Sequence, residues 1–276
     1  ITYYYRGSVE NNYFYFANYW WRVIRINGDG TIRLIYDGTI AHTNEEQSED
    51  EVYISSAFSS GEGNNMYVGY MYTSGEAHGL GTSSVIKTVN DTFYQEHLAN
   101  YSSYIDTNAG FCGDRSTLNL QSGVGTEKVI TYNKGYYRVL NSSPNLVCED
   151  ERDLYTVSTS NQGNKALTYP VGLITIDEVM LAGHSGGIFE SGHSTVKSAS
   201  YTYLTTMAGF WTMTPAGAYN PWGSTAFFAY VFVVHEGGWI GHGTPKGSFG
   251  LKPVINIRSD VEITGNGTID SPYQVV

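Results

Sequence analysis

The stretch from Tyr19 to Asp37 leaves little freedom in how this chain begins to fold. Tyr19 to Ile26 (YWWRVIRI) sets large apolar residues around Arg22 and Arg25, and Thr31 to Asp37 (TIRLIYD) repeats the pattern. Between them, Asn27-Gly28-Asp29-Gly30 supplies residues that tolerate positive φ, so the segment predicts a β-hairpin. Later β-type runs, at Phe210–Thr214, Ala226–Val234, Trp239-Ile240 and Phe249–Ile257, are separated by Gly-rich turns and predict an antiparallel meander. A last hairpin is expected from Val261–Thr264 and Tyr273–Val276 around Gly265-Asn266-Gly267.

Two helices are expected among these strands. Val85, Val89, Phe93, Leu98, Tyr101 and Ile105 recur at near-helical spacing, with Ser83 or Ser84 able to cap the start. Thr175 and Glu178 have the spacing of a capping box before Val179-Met180-Leu181, and Gly183 marks the stop. The resulting class is α+β, with antiparallel sheets and two helices. Neither a linker nor a tandem repeat divides the 276 residues, so residues 1–276 are expected to form a single domain.

Only 15% of the residues are charged, against 24 Tyr and 32 Gly, so the surface must be polar through Tyr, Ser, Thr, Asn and Gly. Such surfaces are usual in secreted proteins, and this is also the palette of adaptable binding loops. The net charge of −11 argues against nucleic acid and against anionic membrane surfaces, which call for clustered Lys and Arg. No apolar run approaches the roughly 20 residues needed to span a bilayer. The abrupt opening Ile1-Thr2-Tyr3-Tyr4-Tyr5, without Met or signal peptide, is that expected of a trimmed ectodomain whose anchor or stalk lies upstream. Cys112 and Cys148 sit in loop-like contexts and predict a disulfide formed in an oxidising compartment. Neither has ligand-spaced neighbours for a metal, so no metal and no cofactor are expected.

Candidate chemistry is sparse. Gly183-His184-Ser185-Gly186-Gly187 matches the G-x-S-x-G nucleophile pattern, but it follows a helix instead of linking strand to helix. It is read as a Gly-rich helix exit. His235 and His242 could face one another across a turn, yet a zinc site would need two more ligands. Asp177 and Glu178 are adjacent on a helix and read as N-terminal charges favoured by its dipole. The acidic run Asn44–Glu51 is read as a solvated loop, without the Asp/Asn-and-Gly pattern of a calcium loop. No catalytic residue is assigned, and the chain is not expected to be an enzyme.

What remains is the 216–248 tract, dense in Tyr, Trp, His and Gly. Aromatic rings on Gly-rich turns give rigid contact area at low entropy cost. Here the residues carry a resemblance. Tyr19–Tyr36, Tyr67–Tyr72, Gly110–Ser116, Leu167–Thr175 and Phe249–Asn256 resemble a family of secreted Firmicutes-type surface proteins. Phe210-Trp211-Thr212-Met213-Thr214-Pro215, an aromatic tract, then Phe249-Gly250-Leu251-Lys252-Pro253 is similar to the C-terminal half of C-type-lectin-like folds. In particular it looks like the variable proteins of diversity-generating retroelements, in which an analogous tract displays the ligand-binding residues. That resemblance implies a C-type-lectin-like domain displayed at the cell surface, with Trp211 and Pro253 as scaffold. The residues it implies to be exposed for binding are Tyr219, Asn220, Trp222, Ser224, Thr225, Tyr230, His235, Glu236, Trp239, His242, Thr244 and Lys246. The Glu-Pro-Asn and Trp-Asn-Asp signatures of calcium-dependent sugar binding are absent, so neither calcium nor sugar recognition carries over. The expected partner is a protein, with a glycan or a structural role in a pilus as the alternatives.

Overall fold

The computed structural model describes residues 1–44, 46, 48–117, 129–185, 201–220 and 225–276. Its chain begins with β1 (Tyr3–Tyr4), β2 (Tyr13–Phe16), β3 (Tyr19–Ile26), β4 (Ile32–Gly38) and β5 (Ile54–Ser56). The predicted hairpin is β3 and β4, paired antiparallel from Trp20↔Gly38 to Ile26↔Ile32. Within it Arg22, a charged residue, does not face water. It is buried, with its guanidinium 3.8 Å above the Tyr13 ring, a placement that its cation–π contact and neighbouring carboxylate make tolerable.

β6 (Met71–Tyr72) and β7 (Thr82–Ser83) form one short ribbon, and β8 (Phe111–Cys112) and β10 (Leu154–Tyr155) another, with β9 (Thr131–Tyr132) between them in sequence. The first helix, α1 (Val85–Phe93), starts where Ser84 accepts the Lys87 N–H. It continues through a π turn at Tyr94–Leu98 and a 3-10 turn at Ala99–Tyr104, so the helical path covers the predicted span with changing pitch. A second helix, α2 (Lys134–Leu140), which the sequence reading did not anticipate, lies inside the loop closed by Cys112 and Cys148. The third, α3 (Ile176–Ala182), has both halves of the predicted capping box, and Gly183 ends it at φ +114°, where glycine carries no Cβ penalty. Among the described residues there is therefore one more α-helix than expected.

The C-terminal third supplies β11 (Phe210–Tyr219), β12 (Phe228–Val234), β13 (Ile240–Gly243), β14 (Phe249–Leu251), β15 (Val254–Ile257), β16 (Ile263–Thr264) and β17 (Tyr273–Val275). β11, β12 and β13 form the predicted antiparallel meander. The run Phe249–Ile257 is not one strand. It breaks at Lys252-Pro253, because proline cannot donate to a ladder. β14 then pairs parallel to β11 and antiparallel to β5, while β15 pairs with β4.

Two sheets result. One runs β15-β4-β3-β2-β17-β16, with β1 also on β3; the other runs β13-β12-β11-β14-β5, with β9 also on β11. In the first, β17 lies parallel to β2 and antiparallel to β16. Trp211, Phe210, Met213, Phe232 and Leu173 belong to one buried apolar cluster, and Trp21, Phe93, Leu34 and Ile255 to a second. The mixed α+β class expected from the sequence holds. Among the described residues no helix is long and apolar enough to cross a membrane. The disulfide is present between Cys112 and Cys148.

Candidate binding face

β11 is buried along its whole length, which fits the continuous apolar character of Phe210–Tyr219. Its pairing with β12 sets Gly217 against Tyr230 and Tyr219 against Phe228, and β12 sets Phe232 against His242 of β13. Three rings consequently form a column. Tyr132 and Tyr219 stack with centroids 5.3 Å apart, and Tyr219 and Tyr230 at 4.6 Å. His242 meets the Tyr230 face edge-on at 4.6 Å, and its Nε2 is hydrogen-bonded to the Tyr219 hydroxyl at 3.1 Å.

The expectation that the tract's tyrosines point into solvent is therefore corrected at two positions: Tyr219 is 9% exposed and Tyr230 7%. Segments left unassigned by the sequence reading cover them. β9 pairs with β11 at Gly217↔Tyr132, the Glu62 carbonyl accepts the Ala229 N–H, and the 3-10 turn Asn65–Val68 packs on β11 and β12. Burial raises the pKa of both tyrosines.

The rest of the tract divides by position. Asn220, Thr225, Glu236 and Lys246 are exposed, and His235, Trp239, His242 and Thr244 are half-buried. Trp222 and Ser224 lie outside the described residues. Trp211 is fully buried between Phe58 and Phe249, as expected of scaffold, and Pro253 is buried too.

His235 and Trp239 are neighbours across the Glu236–Gly238 turn. They stack on each other, with centroids 3.7 Å apart and planes 3° from parallel. Their backbones close the β12–β13 connection, since the His235 N–H donates to the Trp239 carbonyl at 2.9 Å. A Cβ on Gly241 would stand 2.6 Å from both rings, so only glycine lets the pair lie flat on the strand. Burial lowers His235 to about 4, and burial, with His235 adding to it, lowers His242 to about 4. Both imidazoles are neutral at physiological pH.

Gly183-His184-Ser185 leaves α3 through the left-handed Gly183, as the sequence reading expected of a helix exit; Gly186 and Gly187 lie outside the described residues. Both ring nitrogens of the buried His184 are engaged, Nδ1 by the Gly238 carbonyl and Nε2 by the Thr202 hydroxyl. The acidic run also departs from expectation. Ser48 caps a 3-10 turn at Glu49–Glu51, and Glu51 is buried.

Two features gave no sequence signal. A cleft of about 340 Å³ opens beside the Cys112–Cys148 bridge, lined by Arg25, Arg33, Asp114, Arg138 and Asp177. Its guanidiniums are matched internally, Arg138 by Asp114 and Asp177, Arg25 and Arg33 by Glu178. The helix-dipole role expected of Asp177 and Glu178 is thus supplemented by ion pairs on different sides of α3. Separately, His78, Asp150 and Asp153 bring potential metal-ligating atoms together. Asp153 already binds Arg115 through Nε at 2.8 Å and Nη2 at 2.7 Å, and Asp150 binds Arg152. A cation there would have to displace guanidinium charge, so the cluster reads as an ion-pair network tying the 73–81 loop to the disulfide loop. No protein-family model, curated protein or solved structure matches this chain.

Proposed function

We propose that this chain is a surface-displayed, non-catalytic binding module with a C-type-lectin-like fold, and that it engages a protein ligand through the β12–β13 edge of its meander. The observation that carries this reading is the His235–Trp239 stack. It is a flat, half-buried, uncharged aromatic pair at the two ends of the turn joining β12 to β13, with exposed Glu236 between the rings in sequence. Preorganised aromatic anchors of this kind dominate interface energetics because little entropy is lost on binding. The buried Tyr132–Tyr219–Tyr230 column serves as its foundation, not as contact surface.

Three features support the lectin-like and extracellular parts of the reading. N-terminal β4 and C-terminal β15 share a sheet while the helices fall between them in sequence, and an antiparallel meander carries the aromatic tract. A disulfide suits an oxidising compartment. By the same resemblance, Asn220, Thr225, His242, Thr244 and Lys246 would contribute to the binding face.

The test is a defined array of cell-surface and secreted proteins probed with wild type and with the His235→Ala/Trp239→Ala double variant. Signals lost in the variant at unchanged melting temperature support the proposal; identical profiles overturn it. A glycan array, read with and without chelator, examines the second reading, in which the same ring pair stacks on sugar. Glycan signals that vanish with the double variant would move the ligand class from protein to carbohydrate.

A further inference from the structure

Lys252 and Asp37 present a chemistry that a binding role does not use. Lys252 sits at the break between β14 and β15, and Asp37 lies near the end of β4, the strand that β15 joins. The Tyr36 N–H donates to the Pro253 carbonyl at 2.9 Å, which locks the two backbones side by side at this point. Lys252 Nζ stands 3.5 Å from Asp37 Oδ1, with side-chain exposures of 0% and 4%. The Phe210 ring is 5.6 Å from the same nitrogen. On the other side, Arg22 Nη1 is 3.9 Å from Asp37 Oδ2.

Glu51 completes the group. It is 4% exposed, and its Oε2 is anchored by the Ser48 N–H at 2.9 Å. Burial raises its pKa, Lys252 opposes that shift and Asp37 adds to it. Glu51 is thus a carboxyl biased toward its protonated form, and the Tyr53 N–H, donating to the Leu251 carbonyl at 2.8 Å, lays the Glu51 turn beside the segment that leads into Lys252. A buried ion pair carries a desolvation cost that its attraction only partly offsets. The dry, aromatic-walled site therefore favours any reaction that replaces two charges by a neutral group.

We propose that Lys252 Nζ and the Asp37 carboxyl carbon condense to an intramolecular amide, with Glu51 carrying the proton, so that β4 becomes covalently joined to the β14–β15 crossover. One ammonium proton first passes to Asp37 Oδ1, 3.5 Å away, and the resulting neutral lysine amine adds to Asp37 Cγ, forming the N–C bond. Negative charge develops on Oδ2, the oxygen facing Arg22. Glu51 protonates Oδ1, the C–Oδ1 bond breaks and one water leaves. Glu51 then recovers the proton released by the nitrogen. An ammonium and a carboxylate become an amide plus water, without oxidant, reductant or activating group. The buried Lys87 offers no equivalent: its Nζ pairs with Asp91 one turn along the same helix, and a link there would join nothing distant.

The test is the intact mass of the full chain, disulfide reduced and denatured, followed by tandem mass spectrometry of a digest. The expected result is a chain lighter by one water, with a branched peptide joining the segments that carry Asp37 and Lys252. A chain of full mass that yields linear peptides overturns the proposal. So does a linear peptide with the deficit confined to Asp37-Gly38, which would be a cyclic imide. The wild-type chain decides the matter, so no variant needs to fold for the test to stand. Lys252→Arg should be recovered at full mass, and so should Glu51→Gln. A branched peptide in Glu51→Gln overturns the role given to Glu51.

Discussion

Arg33 Nε lies 2.6 Å from Glu178 Oε1, and each side chain is 1% exposed. The same oxygen accepts Arg25 Nε at 2.8 Å. Burial alone would raise the Glu178 pKa, but the two guanidiniums overcome it and hold the carboxyl below its ordinary range. Burial also lowers Arg33 to about 10, with Glu178 opposing, so both groups stay charged at neutral pH. The pair ties the N-terminal hairpin to the first turn of α3. Glu178→Gln leaves two guanidiniums unmatched, one of them sealed from water, and should destabilise the fold by about 3–5 kcal/mol. Urea denaturation followed by tryptophan fluorescence measures it.

Stability should fall in mildly acidic solution through the two lowered histidines. Unfolded imidazole, with its ordinary pKa of about 6.5, takes up a proton before the folded His235 and His242, which titrate near 4. The unfolded state then binds more protons, so the contribution is complete above about pH 6.5 and is lost as pH falls toward 4. A loss on the order of 3 kcal/mol per histidine is expected across that window, and His242→Gln should flatten it. Thermal melts at half-unit pH intervals check the slope.

Tyr219 separates scaffold from contact. Tyr219→Phe keeps the stacked column and removes only the hydroxyl bonded to His242, at a cost of about 1 kcal/mol. Tyr219→Ala opens the column and should cost about 3–5 kcal/mol. A ligand-contact role would give the reverse emphasis: small stability changes and a large loss of binding.

Gly241→Ala is expected to leave the backbone undisturbed and force the His235–Trp239 rings apart, since its Cβ has no room beside them. Near-ultraviolet circular dichroism should report the lost stacking. On the array described above, the variant should behave like the double alanine variant.

Reduction of Cys112–Cys148 should lower stability by about 3–4 kcal/mol, from chain entropy regained across a separation of 36 residues. Melting curves with and without reductant provide the measurement. The Cys112→Ser/Cys148→Ser chain should match the reduced protein.

Local rules read well where a residue's neighbours in sequence decide its conformation. Thr175, Glu178 and Gly183 define α3 through backbone hydrogen bonds a few residues apart, and Asn27–Gly30 defines the β3–β4 turn in the same way. The cysteine pairing followed from compartment and composition. The fate of Tyr219 and Tyr230 was not legible, because the segments that cover them, residues 62–68 and 131–132, are distant in sequence and have no periodicity of their own. Phe249–Ile257 looked continuous because apolar character does not distinguish one sheet from two; only Pro253 marked the break. Arg22, Lys252 and Glu51 were misjudged or overlooked for one reason. A charged residue is assigned to solvent by default, and only tertiary structure shows which partner makes its burial tolerable.

The placement of β17 beside β2 bears on how the molecule resists force. The two strands run parallel, with Tyr273 opposite Phe14 and Gln274 opposite Tyr15. Tension applied between Ile1 and Val276 would drag these strands along their own axes in opposite directions. Their hydrogen bonds would then be loaded side-on and together, in shear, instead of opening one after another like a zip.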